Sequence, residues 1–79
     1  MKTLEELFRE GDDLVDEIEE LENEIIDYDY GSYAYDQLDM EIQDRGLKLD
    51  KLMKEITETY GEDRTLSFLT NVLKNTSNA

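Results

Sequence analysis

The sequence predicts an all-α fold, an antiparallel helical hairpin of coiled-coil character followed by a short third helix. Three observations carry this. Apolar residues recur at alternating steps of three and four along two long segments. A cluster of turn residues from Asp27 to Ser32 separates those segments. Capping residues stand where each segment begins. The 79 residues make a single small helical domain, near the lower size limit for a self-sufficient core.

Thr3 followed by Glu6 is a capping box that opens the first helix. Its seam reads Leu4, Leu7, Gly11, Leu14, Ile18, Leu21, Ile25 and Tyr28, which predicts a helix over about residues 4–28. Gly31 is free to take positive φ and break the chain direction. Ser32 then caps a second helix over about 33–60, with Tyr35, Leu38, Ile42, Arg45, Leu49, Leu52, Ile56 and Thr59 as its seam. Gly61 is its C-terminal stop. Asp63 is expected to cap a third helix over about 63–75, with Leu66, Leu69, Val72 and Leu73 on one side. Residues 76–79 read as a frayed tail.

So short a connection makes the two long helices antiparallel. Folding at that point pairs residues whose numbers sum to about 63. Leu21 then faces Ile42, Leu14 faces Leu49, and Leu7 faces Ile56. Gly11 falls opposite Leu52, where a missing side chain admits a large one. Arg45 interrupts the apolar seam within reach of Glu17, and a polar seam residue of this kind serves as a register device. Phe8, Val15, Met53 and Tyr60 flank the seams at the open end, where the third helix is expected to cover them. Ile26, Met40 and Leu47 lie beyond that cover, because a dozen helical residues reach only about 18 Å, and they ask for a partner.

Composition narrows the function classes. Cysteine, histidine and proline are all absent. No disulfide or thiolate metal site is possible, and the commonest general base is missing. Asp27-x-Asp29-x-Gly31 invites comparison with a calcium-binding helix-loop-helix, but the glycine comes one position early and Leu38 stands where the closing glutamate belongs. Glu17, Glu20 and Glu24 loosely resemble the carboxylate rows of all-α nucleotide pyrophosphatases. Such sites need acids and a base from facing helices around a cleft, and a chain this short encloses little pocket volume. We therefore expect no cofactor, no metal and no catalysis. The N-terminus lacks an apolar targeting region and no run is long enough to span a bilayer, so the expected location is the cytoplasm.

Charge is the dominant feature, at −14 with a pI near 4.1. It disfavours direct binding to nucleic acid or an anionic membrane and favours a basic protein as partner. Residues 1–30 hold thirteen of the 22 acidic side chains but only two of the eight Lys and Arg. Opposite the seam, Glu5/Glu6, Asp12/Asp13 and Glu19/Glu20 repeat every seven residues, with Asp16 between them and Asp27 continuing the row. Thirteen carboxylates over about 37 Å of helix give roughly one per 3 Å, close to the phosphate spacing of one DNA strand. A face like this is ordinarily the solvated side of a coiled coil. Here the near absence of lysine also allows a charge mimic of DNA. Mutual repulsion along the row is expected to raise carboxylate pKa values and to make the fold more stable on acidification.

Four of the five tyrosines fall between residues 28 and 35. Tyr28 and Tyr35 are expected to close the core at the hairpin end. Tyr30 and Tyr33, with Asp29 and Asp36, suit recognition of a partner's arginines through ring stacking and ion pairing. The candidate contact residues are thus Asp12, Asp13, Asp16, Glu19, Glu20, Asp27, Asp29, Tyr30, Tyr33 and Asp36.

In size, charge, lack of Cys and His, and the acid-row helix over residues 3–29, the chain resembles phage-encoded acidic inhibitors: anti-restriction DNA mimics and some anti-CRISPR proteins. That resemblance implies an inhibitor in the host cytoplasm that blocks a nucleic-acid-binding enzyme or complex. It is one of general character without a shared motif, so no residue roles transfer with it. The alternative expectation is a self-associating coiled coil, an assembly protein whose partner in a homodimer is a second copy.

Overall fold

Both long helices begin where a hydroxyl satisfies an otherwise orphaned backbone N–H. In the computed structural model, which describes residues 2–76 with side chains through Lys74, Thr3 Oγ1 accepts from the Glu6 N–H at 3.2 Å. Ser32 Oγ accepts from the Tyr35 N–H at the same distance. The described residues form three helices, α1 (Leu4–Ile25), α2 (Tyr33–Tyr60) and α3 (Glu62–Thr76), and none is long and apolar enough to cross a membrane. The expected tail beyond Thr76 lies outside the described residues, while Asn75 and Thr76 belong to α3.

α1 stops at Ile25, three residues earlier than the seam predicts. The Asp27 and Tyr28 N–H groups bond three residues back, to Glu24 and Ile25, which tightens the final turn. Glu22, Glu24, Asp27 and Asp29 crowd the negative end of the helix dipole, and no basic residue occupies its last turn. Continuing the helix would deepen that repulsion. Gly31, at φ 86°, completes the reversal. Gly61 ends α2 at φ 105°, its N–H donating to the Ile56 and Thr57 carbonyls, a left-handed ending that favours glycine. α3 starts at Glu62, one residue before the expected cap.

The hairpin register follows the expected pairing. Leu7, Leu52 and Ile56 form the buried centre, with Leu4, Phe8, Leu14 and Leu49 packed on it. Arg45 Nε reaches Glu17 across the seam at 3.4 Å. At the open end, Tyr60 Oη donates to the Lys2 carbonyl at 2.8 Å. Tyr28 does not close the other end as expected. It follows the early stop of α1 and is 43% exposed, only partly covering that end, whereas Tyr35 is half-buried.

α3 runs back along α2. Thr65 and Thr57 share a hydroxyl hydrogen bond of 2.6 Å, and both hydroxyls also face the Met53 carbonyl. Its inward residues are Thr65, Phe68 and Val72, not the expected Leu66, Leu69 and Leu73. Phe68 is 1% exposed and meets Phe8 at 5.6 Å between ring centroids. It lies directly over Gly11, where an added Cβ would come within 2.5 Å of a ring carbon. Gly11 thus admits a large side chain, and the one it admits comes from α3 as well as from Leu52. The aromatic ring fixes α3 over Phe8 and leaves three leucines facing solvent.

Candidate functional site

The outer side of α1 carries the charge. Eleven carboxylates and one arginine lie on its 22 residues, a length of about 33 Å. Asp13, Asp16, Glu19 and Glu20 are exposed, and Asp12 is half-buried. Ion pairing divides this helix lengthwise. Beside the seam, Glu10 pairs with Lys2 at 2.6 Å and Glu17 with Arg45. Further ion pairs join Asp44 to Arg45 and Lys48. None of them reaches Asp12, Asp13, Asp16, Glu19 or Glu20.

Burial pushes the Asp12 carboxyl above its ordinary value, and the neighbouring charges of Asp16 and Asp13 add to the rise. Low dielectric and like charge both disfavour ionisation. Lys2 lies above its usual value through its hydrogen bond to Glu10. The acid row is thus a strip of exposed negative charge, bounded on the seam side by cations that neutralise Glu10 and Glu17.

The helix stop at Ile25 takes Asp27 off the row. Asp27 and Asp29 lie in the connection to α2, and Asp36 lies in the first turn of α2. All three are exposed. The candidate residues therefore fall into two groups, the strip from Asp12 to Glu20 and the tip from Asp27 to Asp36. At the tip, Tyr30 and Tyr33 are 89% and 80% exposed. Tyr30 packs edge-on against Tyr35, with centroids 5.2 Å apart. Tyr35 therefore braces one of the two projecting rings, a role its place in the seam did not suggest.

A groove of about 410 Å³ lies between α1 and α2, lined by Glu10, Asp13 and Glu17 from one helix and Lys48 and Lys51 from the other, among others. Its mixed charge was not anticipated. The lysines follow Arg45 at steps of three along α2, and only the hairpin register brings them opposite the acids of α1. Among the described residues, no three acidic side chains converge closely enough to hold a metal ion. What the arrangement offers is recognition of positive charge over an extended length, with aromatic rings at one end. No known family, curated protein sequence or solved structure matches this chain.

Proposed function

We propose that this protein binds a basic, nucleic-acid-binding protein through the outer strip of α1 and occupies the channel meant for phosphates. The observation that carries this reading is the strip itself. Of the eleven carboxylates on this 22-residue helix, two are paired with cations, and the rest give roughly one charge per 4 Å, close to the phosphate spacing of a nucleic acid strand. None of the ion pairs described above reaches the five outer carboxylates from Asp12 to Glu20. A surface kept unneutralised carries strong self-repulsion, which a basic partner would relieve. Tyr30 and Tyr33 would add anchors for arginine at the end of the strip. Inhibition or regulation of the partner follows, because two polyanions cannot share one channel.

The test is competition. Against a basic nucleic-acid-binding partner, captured at low salt and identified by mass spectrometry, this protein and the partner's nucleic acid should exclude each other. Its affinity should fall steeply with salt. Simultaneous binding of both with unchanged affinities would overturn the reading. The alternative, a self-associating assembly protein, is favoured by a different observation, the exposed leucines of α3.

A further inference from the structure

Helix α3 presents Leu66, Leu69 and Leu73 at steps of three and four, 54%, 38% and 67% exposed. They form a stripe adjoining the inward face of Thr65, Phe68 and Val72. The Thr65–Thr57 bond sets the register of α3 against α2, so the stripe runs alongside the C-terminal half of α2. We propose that this stripe is the contact between two copies of the chain, joined about a two-fold axis through Leu69.

Three features of the molecule select a second copy as the occupant. The first is composition. Leu66, Leu69 and Leu73 stand exposed at helical spacing on the outer side of α3, and a helix of a globular protein ordinarily buries an apolar stripe of this kind.

The second is charge. α1 carries eleven acids against Arg9, and α2 also has more acids than bases. α3 balances Glu62 and Asp63 with Arg64 and Lys74. It is the one helix of the three through which copies of a −14 chain can approach without a facing acid row.

The third is spacing. A two-fold contact must be self-complementary. In an antiparallel α3 pair centred on Leu69, Leu66 of each copy comes within one residue, about 1.5 Å, of level with Leu73 of the other. Asp63 then falls beside Lys74 of the second copy, and the two helix dipoles oppose. The arrangement leaves the acid strips of α1 outside the contact, so it does not depend on the proposed function.

Sedimentation equilibrium on the full chain tests the proposal, with circular dichroism as a check on folding. The wild-type chain should sediment at twice 9.3 kDa as concentration rises, and salt should tighten the dimer by screening repulsion. Leu69→Lys and Leu66→Lys lower the net negative charge, so weakening by these changes cannot come from general repulsion. Each should raise the dimer dissociation constant at least about 100-fold, since both copies lose a buried leucine. Helicity should be retained, because both positions are already exposed. Met40→Lys on α2 and Ile26→Lys just past the end of α1, both at exposed apolar positions, should leave the dimer intact. A wild-type monomer at concentrations up to about 1 mM would overturn the proposal, as would a dimer indifferent to Leu69→Lys. Equal loss with Met40→Lys or Ile26→Lys would place the contact elsewhere and overturn it too. Loss of nucleic acid competition with the dimer unchanged would count only against the proposed function.

Discussion

Replacing Gly11 and Gly46 by alanine makes the same chemical change in the interior of two helices, and the structure assigns the two changes opposite signs. Alanine is better than glycine in a helix by about 0.8–1 kcal/mol. At Gly46 a new Cβ meets nothing within 4 Å, so Gly46→Ala should stabilise by about that amount. At Gly11 it would lie 2.5 Å from a Phe68 ring carbon and 2.9 Å from Leu52 Cδ2. Carbon atoms settle at about 3.5–4.0 Å, so the ring must retreat by roughly 1 Å. Phe68 is rigid, 1% exposed and held against Phe8. Overpacking of this kind costs about 1–3 kcal/mol, which exceeds the propensity gain. We expect Gly11→Ala to destabilise by up to about 2 kcal/mol. In a domain of this size each kcal/mol moves Tm by about 4–8 °C. Thermal and urea melts by circular dichroism at fixed protein concentration measure both variants. A double-mutant cycle sharpens the test: Phe68→Ala alone should cost about 3–5 kcal/mol, and in its background Gly11→Ala should become favourable. If Gly11→Ala raises Tm as Gly46→Ala does, the placement of Phe68 over Gly11 is wrong.

Other expectations follow from the same geometry. Ile56 is fully buried, so Ile56→Ala should lose about 2–5 kcal/mol in urea unfolding, while Leu14→Asp should collapse the helical signal by placing a charge against the core. Arg45→Met should change stability by no more than about 1 kcal/mol, because Glu17 is half exposed and such pairs contribute little. Asp12 has a folded pKa above its ordinary 3.8, so the folded chain holds that proton more tightly than the unfolded chain. Stability should fall as pH rises through the interval just above 3.8 and stay lowered at neutrality. Asp12→Asn should therefore raise Tm at pH 7 and leave it unchanged at pH 3; a lower Tm at pH 7 would contradict this. Neutralising Asp12, Asp13, Glu19 and Glu20 together should slow association with a basic partner far more than Glu19→Gln alone, whereas Tyr30→Ala should act on dissociation in a binding time course.

What the sequence alone determined about this protein is what local chemistry determines. The hydroxyl caps at Thr3 and Ser32, the glycine stop at Gly61 and the three-four spacing of two seams each depend on neighbours within a turn or two. They specify the hairpin, and the brevity of its connection then sets the pairing that joins Arg45 to Glu17. The acid strip was legible for the same reason, since residues seven apart share a helix face wherever that helix packs. The tip was legible only as a concentration of tyrosines, because Tyr30 meets Tyr35 through a turn the spacing does not describe. α3 needed the tertiary structure. It carries two adjacent apolar stripes, Phe68 with Val72 and Leu66 with Leu69 and Leu73, and periodicity ranks the richer leucine stripe as the inner one. The choice is made across the fold, at Gly11, where the absent side chain leaves room for a ring. Filling that space with Phe68 turns α3 by about a quarter of a turn from the leucine-inward orientation and sends the leucines to the surface. No property of residues 62–76 encodes that outcome, because the space being filled belongs to another helix.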